Sequence, residues 1–134
     1  MSEAEIADLV ASLDSEDMLG FLRLFPSDFA TQMKIDETIE VNPTTPSSVL
    51  CLGMGGSAAA GDFLTSLANY QGDTQVTTWR NYQLPNWIED DSLVVATSYS
   101  GNTEETLDAT SEAVEKGLET VVISSGGKLA EFGN

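Results

Sequence analysis

The residues best suited to chemistry in this chain are hydroxyls gathered directly behind an apolar run. Ser98 and Ser100 stand two positions apart and Thr103 follows them, within the stretch SLVVATSYSGNTEET at 92–106. Residues two apart on an extended backbone project to the same side, and the intervening Gly-Asn pair favours a turn before a helix. Hydroxyls beside a helix N-terminus can donate hydrogen bonds to phosphate oxygens. The spacing therefore favours a phosphate-binding loop, although the same residue types are equally typical of a plain helix cap.

The elements around this loop predict a parallel sheet. Residues 93–96 are consecutively apolar, which is typical of a strand covered on both faces. Two other apolar runs also end in clusters of glycine and serine, GMGGS at 53–57 and SSGG at 124–127. Ligands of such sheets collect at the carboxyl ends of the strands. We therefore predict a three-layer α/β/α fold, flavodoxin-like or Rossmann-like, with its ligand at the edge where these clusters meet.

Apolar spacing places the helices and strands of this sheet. Strands are predicted at 49–52, 75–79, 93–96 and 121–123, and helices at 57–69, 103–116 and from 128 onward. The inner face of the first helix is predicted at Phe63, Leu64 and Leu67. That of the second is predicted at Leu107, Thr110, Val114 and Leu118, with Gly117 as its C-cap.

The first third of the chain has a different pattern. Helical spacing runs through 3–25, Pro26 is predicted to end it, and residues 27–28 are predicted to cap a short helix carrying Phe29 and Met33. The stretch NPTTPSS at 42–48 has the composition of a linker. We therefore predict a helical arm and linker over 1–47 and the α/β domain over 48–134.

The charge of the chain restricts its partners. Five Lys and Arg against 22 Asp and Glu give a net charge of −17, which argues against nucleic acid and anionic membranes. A phosphate must then be held by local amides, hydroxyls and helix ends. The acidity fits either adaptation to a salty cytoplasm or an ordinary acidic protein.

The residue inventory also excludes several kinds of site. The chain has no histidine, and Cys51 is its single cysteine, so the usual zinc sites and Ser/His or Cys/His pairs are excluded. Cys51 stands in an apolar run and is predicted to be core. No apolar run approaches the roughly 18 residues of a membrane span, and the N-terminus is acidic where a signal peptide would be basic. We therefore expect a cytoplasmic protein.

Four segments together resemble a known family. They are CLGMGGSAAAGD at 51–62, RNYQLP at 80–85, SYSGNTEET at 98–106 and ISSGG at 123–127. This combination resembles the sugar isomerase (SIS) domain, most closely the N-terminal SIS domain of the bifunctional phosphoglucose/phosphomannose isomerases. The resemblance covers about residues 48–130, and SYSGNTEET is its most specific string.

The resemblance implies a substrate, a reaction and a set of site residues. Its phosphate-binding positions correspond here to Gly56, Ser57, Ser98, Ser100 and Thr103. Family enzymes are intramolecular oxidoreductases that interconvert glucose 6-phosphate or mannose 6-phosphate with fructose 6-phosphate through an enediol, without metal or cofactor. Their Glu base and ring-opening His lie beyond the first domain. We therefore expect a truncated fragment that lacks its catalytic groups and second SIS domain, is inactive alone, and forms a homodimer.

Other polar and aromatic residues near the strand ends receive structural interpretations. Arg80 is expected to steady its loop rather than reach ligand, although it is kept as an accessory binding residue. Glu104 and Glu105 are expected to complement a helix dipole rather than carry protons. Packing or an oligomer surface is expected for three aromatic residues, Trp79, Tyr82 and Trp87.

Two alternatives to the isomerase interpretation remain open. The first is a non-catalytic SIS module that binds sugar phosphates for regulation, which suits a chain without histidine. The second is a dinucleotide site, since Gly53, Gly55 and Ala58 match a GxGxxA pattern. The acidic residue expected at the end of the second strand is replaced by Trp79 and Arg80, so this alternative is disfavoured.

Overall fold

The computed structural model describes residues 2–32 and 45–133, except for the side chains of Phe29 and Gln32. The chain divides into two compact units, Met1–Ile39 and Glu40–Asn134. The predicted boundary between 47 and 48 stays a prediction. Across the described residues, no helix combines the length and the apolar character needed to cross a membrane.

The first unit contains two helices, α1 (Glu3–Leu13) and α2 (Met18–Gln32). Both begin with a side-chain cap. Ser2 and Glu5 form a capping box on α1, in which each side chain accepts a hydrogen bond from the other's backbone N–H. The carboxylate of Asp14 accepts hydrogen bonds from the first two N–H groups of α2, at 2.7 and 2.8 Å. In each of these two helices, at least one N–H group of the first turn is therefore bonded to a side chain of the same unit.

The predicted helix end at Pro26 is wrong, because α2 continues through this residue. A proline removes one backbone hydrogen bond, here to the carbonyl of Leu22, but Leu22 is exposed and solvent can satisfy the freed group. Ser27, predicted to cap a new helix, instead donates its hydroxyl to the carbonyl of Leu24 within the same helix, at 2.7 Å. Met33 lies outside the described residues.

The second unit is a four-stranded parallel sheet with helices on both faces, as predicted. Its elements are β1 (Ser48–Leu52), α3 (Gly55–Gln71), β2 (Gln75–Trp79), β3 (Leu93–Ser98), α4 (Glu104–Glu115), β4 (Glu119–Ser124) and a 3₁₀ helix (Lys128–Gly133). The strand order is β2-β1-β3-β4. The chain thus moves outward in opposite directions from β1 and β3, which places a topological switch point between their carboxyl ends.

The main hydrophobic core lies between the sheet and α4. It joins strand, loop and helix residues, namely Leu50, Leu52, Leu84, Val94, Ala96, Ala109, Ala113, Leu118 and Leu129. Along β3, burial alternates, so that Val94 and Ala96 are fully buried while Leu93 and Val95 are only partly so. The strand is thus covered on both faces, as predicted, but less completely on the face of Leu93 and Val95.

The inner face of α3 also differs from the prediction. Phe63 is 79% exposed, and Leu64 and Leu67 are exposed too, while the buried residues of the helix are Ala58 and Gly61. A Cβ at position 61 would lie 2.8 Å from the Cβ of Cys51 and 2.9 Å from the hydroxyl of Thr78. The helix therefore approaches the sheet so closely that only small residues fit, and the large apolar residues turn outward. Cys51 is buried, as predicted, and burial raises the pKa of its thiol.

The buried stripe of α4 is likewise formed by small residues. Thr110 is buried as predicted, but Val114 is 45% exposed and Leu107 is only partly buried. The other buried positions are Thr106, Ala109 and Ala113. The C-cap of α4 is Lys116 and not Gly117 as predicted, and Gly117 follows it with φ +73°. The Leu118 N–H then donates to the Ala113 carbonyl, at 3.0 Å, which closes the end of the helix.

Candidate functional site

Three loops follow the carboxyl ends of β1, β3 and β4 at one edge of the sheet. We call them loop 1 (53–57), loop 2 (98–103) and loop 3 (124–128). Loops 1 and 2 flank the switch point, and loop 3 is placed beside loop 2 because Ser98 and Ser124 are paired in the β3–β4 register. Helix α3 begins at loop 1 and α4 begins at loop 2. The candidate site is therefore an edge with two helix N-termini.

Two of the predicted hydroxyls form a pair in loop 2. Ser98 is 2% exposed, and its Oγ lies 2.9 Å from Oγ1 of Thr103. The Ser98 hydroxyl also accepts a hydrogen bond from the N–H of Gly101, at 3.2 Å. Thr103 occupies the N-cap position of α4, yet its side chain makes no capping hydrogen bond. The cap interpretation therefore does not hold for Thr103, whose hydroxyl is turned to Ser98 instead.

Loop 1 contributes Gly56 and Ser57 in the first turn of α3. Ser57 is partly buried, and its Oγ accepts a hydrogen bond from the Tyr99 N–H of loop 2, at 3.4 Å. Gly56 is exposed, with no atom within 4 Å of where a Cβ would stand. The N-cap residue of α3, Met54, provides no side-chain cap. Both helices that start at this edge thus lack side-chain caps, unlike α1 and α2.

Ser100 stands exposed at the tip of loop 2. Its Oγ accepts a hydrogen bond from the N–H of Asn102, at 3.3 Å, which leaves its own hydroxyl hydrogen free to point elsewhere. The structure therefore connects Ser57 to loop 2 through Tyr99, connects Ser98 to Thr103 directly, and places Ser100 between them in the chain.

Arg80, the accessory residue, makes a different contact. Its guanidinium forms an ion pair with Asp62 on α3, and both side chains are about half exposed. The hydrogen bond from Arg80 lowers the pKa of the Asp62 carboxyl. The guanidinium is thus held against the side of α3, in keeping with the expected steadying role.

A groove of about 790 Å³ begins one residue beyond Thr103 and was not anticipated from the sequence. Its lining combines acidic, aromatic and basic residues: Tyr82, Glu104, Leu107, Asp108, Ser111, Lys128, Glu131 and Phe132. The hydroxyl of Tyr82 donates to Glu104 at 3.3 Å, and desolvation together with the nearby charges of Glu105 and Glu104 raises the pKa of Tyr82. Only folding brings the loop 80–92 against α4, so no local sequence signal marks this groove.

Within the described parts of the chain, no group of three or more His, Cys, Asp or Glu residues is arranged to hold a metal ion. The donors at the candidate site are hydroxyls and backbone N–H groups. Such donors suit an oxyanion.

Sequence comparison gives relatives for a large part of the chain. No protein-family model matches it. The chain is similar to bifunctional phosphoglucose/phosphomannose isomerases. It is 38% identical to the protein of that name from Caldicellulosiruptor bescii over 109 residues, which are 80% of this chain and 32% of the relative. The Thermoplasma acidophilum protein is 39% identical over 89 residues, 66% of this chain and 28% of the relative.

Not every relative has an isomerase name. A D-glucosamine-6-phosphate 4-epimerase of Sulfolobus acidocaldarius is 39% identical over 89 residues, covering 66% of this chain and 28% of the epimerase. The chain thus spans 32% or less of the length of the isomerases and the epimerase described here. Among solved structures, NanR of Vibrio vulnificus in complex with ManNAc-6P aligns with a TM-score of 0.56 at 16% identity. That alignment covers 96% of this chain and 49% of NanR, and it shows a shared fold.

Proposed function

We propose that this chain is a SIS domain that binds a phosphorylated hexose for a phosphoglucose/phosphomannose isomerase. The observation that carries the proposal is the start of α3 and α4 at one edge, both without side-chain caps, beside the Ser98–Thr103 hydroxyl pair. A phosphate placed there completes the first turns of both helices. The relatives support a phosphorylated sugar, because both the isomerase and the epimerase names specify one.

The hydroxyl pair can serve as a donor to phosphate. Ser98 and Thr103 have two hydroxyl hydrogens between them, and one is used in their mutual hydrogen bond. The other remains for a ligand oxygen. Ser57 and Ser100 each accept a backbone hydrogen bond, so their own hydrogens are also available. With Gly56 leaving open space at the start of α3, these five residues form the proposed phosphate site.

Hydroxyls and backbone N–H groups can bind a phosphate on an acidic protein without carrying a charge themselves. The net charge is −17, and Glu104 and Glu105 stand in the first turn of α4. Distant carboxylates are screened over about 10 Å at ordinary salt concentrations, so the hydroxyls and helix ends act at short range. Affinity for a sugar phosphate should therefore rise with added KCl. A site built on Lys or Arg would lose affinity under the same change.

The reaction proposed for the whole enzyme is the aldose–ketose isomerisation of a hexose phosphate, which the isomerase names of the relatives support. This chain has no histidine, and Glu104 accepts a hydrogen bond from Tyr82. We therefore propose that it supplies phosphate binding alone, while the proton-transfer groups come from a second SIS domain. The proposal includes a homodimer in the cytoplasm, with no cofactor, no nucleic acid and no membrane partner.

The test is calorimetric titration of this chain with glucose 6-phosphate, beside unphosphorylated glucose and NADP, at low and high KCl. We expect binding of glucose 6-phosphate only, strengthened by KCl. Ser98→Ala combined with Ser100→Ala should weaken it by at least about tenfold, since each lost hydrogen bond is worth about 1 kcal/mol. Ser111→Ala removes a hydroxyl two turns further along α4 that bonds to Glu115, so it is the control and should bind as the wild type does.

Three outcomes would contradict the proposal. Binding of glucose as strong as that of glucose 6-phosphate would show that the phosphate is not recognised. Binding of NADP alone would move the site to a dinucleotide function at loop 1. An unchanged affinity in the double serine variant would remove loop 2 from the site.

A further inference from the structure

We infer that Ser125 and Asn102 are positioning residues, which hold loop 2 in its binding conformation from the side of loop 3 without touching the phosphate themselves. The inference rests on the proposed function and assigns a role to the SSGG cluster, which the phosphate site leaves unused. It is carried by the hydrogen bonds between loops 2 and 3.

The backbone of Tyr99, between Ser98 and Ser100, is fixed from both sides. The N–H of Tyr99 donates to Ser57 of loop 1, at 3.4 Å. Its carbonyl accepts two hydrogen bonds from Ser125 of loop 3, one from the N–H at 3.3 Å and one from the hydroxyl. Tyr99 stands between Ser98 and Ser100, so these contacts set the orientation of both proposed phosphate donors.

Asn102 ties the other half of loop 2 to loop 3. Its side-chain oxygen accepts a hydrogen bond from the N–H of Lys128, at 3.3 Å, and its side-chain nitrogen donates to the carbonyl of Ser100, at 3.0 Å. The Leu129 N–H adds a bond to the carbonyl of Gly101, at 2.9 Å. One amide side chain thus bridges the tip of loop 2 and the start of the 3₁₀ helix.

Glycines allow the two loops to approach this closely. A Cβ on Gly101, which has φ +66°, would lie 1.7 Å from the carbonyl oxygen of Gly126. A Cβ on Gly127, which has φ +70°, would lie 2.5 Å from the carbonyl oxygen of Ser100. Loop 3 is therefore packed against the backbone of loop 2. Neither Gly101 nor Gly127 can be replaced by a residue with a side chain unless the loops move apart.

The hydrogen bonds of Ser125 and Asn102 distinguish these two residues from those proposed to bind the phosphate. The Ser125 hydroxyl hydrogen is used on the Tyr99 carbonyl, and both polar atoms of the Asn102 side chain are engaged within the protein. Their contribution is to fix the loop before the ligand arrives. Fixing a loop in its bound conformation lowers the entropy that binding must otherwise overcome.

The decisive variants are Ser125→Ala and Ser125→Thr, titrated with glucose 6-phosphate. Ser125→Ala removes the hydroxyl bond and should weaken binding by about tenfold, while Ser125→Thr keeps the hydroxyl and should restore it. Ser125 is exposed, so both variants should still fold and unfold cooperatively in urea. Asn102→Ala should weaken binding to a similar degree.

A second readout does not require a ligand. Amide hydrogen exchange at Gly101 and Leu129, whose N–H groups hold loop 2, should accelerate by about tenfold in Ser125→Ala and return to normal in Ser125→Thr. Unchanged exchange and unchanged affinity in Ser125→Ala would overturn the inference. Failure of the wild type to bind glucose 6-phosphate would refute the proposed function, while the exchange rates would still decide whether Ser125 holds the loop.

Discussion

The two units of the chain begin their helices in opposite ways. In the first unit, Ser2 caps α1 by accepting from the Glu5 N–H, and the carboxylate of Asp14 accepts from the first two N–H groups of α2. In the second unit, α3 and α4 start after strands at the switch-point edge, and neither has a side-chain cap. A side-chain cap stabilises a helix by about 1 kcal/mol, so the missing caps of α3 and α4 lower the stability of the fold. An anionic ligand bound at the two N-termini can offset that loss.

Adding a cap to α4 is the strongest test of this contrast. Thr103→Asp places a carboxylate where it can accept the first N–H groups of the helix, which should stabilise the fold by up to about 1 kcal/mol. The substitution also removes the Thr103 hydroxyl that pairs with Ser98, and the new carboxylate repels a phosphate. Affinity for glucose 6-phosphate should therefore fall by about a hundredfold. Thermal denaturation and calorimetric titration measure the two effects separately.

Thr103→Ser is the control for that experiment, because it keeps a hydroxyl at the same position and should retain binding. A Thr103→Asp variant that binds glucose 6-phosphate as tightly as the wild type would contradict the idea that α4 lacks a cap because its N-terminus binds the phosphate.

Removing a cap from the first unit should have only a structural effect. Asp14→Ala takes away an acceptor that serves both Met18 and Leu19, and should destabilise α2 by about 1–2 kcal/mol. Hydrogen exchange of those two amides would report the loss directly. Asp8→Ala, which removes an exposed carboxylate within α1, is the matched control and should leave these rates unchanged. Equal acceleration in both variants would mean that charge rather than capping is responsible.

A buried hydroxyl in the first turn of α4 sharpens the contrast further. Thr106 is 2% exposed, and its Oγ1 has no hydrogen-bond partner within the described residues. Thr106→Val removes this unsatisfied group at nearly constant shape and should stabilise the protein by about 1 kcal/mol. Thr110→Val should destabilise it by a similar amount, because the Thr110 hydroxyl donates to the Thr106 carbonyl at 2.6 Å. Urea unfolding measures the free energy of unfolding of both variants. A shift of the same sign and size in both would contradict the prediction.

The smallest expected effect concerns Glu112, in the last turn of α4. The side chain of Lys116, followed by the backbone N–H of Leu84, lowers the pKa of Glu112 below its ordinary value of 4.5. A lowered folded-state pKa stabilises the protein above the unfolded value, and this contribution is lost as the pH falls through the folded value. The urea midpoint of Glu112→Gln should therefore differ from the wild type at neutral pH and converge with it in acid. A constant difference at every pH would contradict this interpretation.

Sequence reasoning identified the hydroxyls of the proposed site but not the hydrogen bonds that hold their loop. The spacing of Ser98, Ser100 and Thr103 behind an apolar strand was visible locally, because a strand end, a turn and a helix start each have their own residue signals. The bonds from Ser125 and Asn102 were not visible, since they depend on the β3–β4 register. Long-range register is decided by folding, so an ordinary serine and an ordinary asparagine give no sign of such a role.

The errors on the helices have a common physical cause. Hydropathy placed Phe63 and Leu67 inside, but the approach of α3 to the sheet at Gly61 admits only small residues. Hydropathy measures what a side chain gains by burial and contains no information on the distance between layers. Proline likewise signals a lost hydrogen bond, yet α2 continues through Pro26.

Local periodicity and backbone preference were enough to predict the α/β class, the parallel sheet and the clustering of hydroxyls and glycines at strand ends. They also placed the end of α4 to within one residue, since the C-cap is Lys116 and not Gly117. Tertiary structure alone decided which small residues face the sheet, which loop fixes which, and that Thr103 turns to Ser98 rather than capping its helix. Each of these depends on the distance between segments far apart in the chain, and that distance is set only when the layers pack.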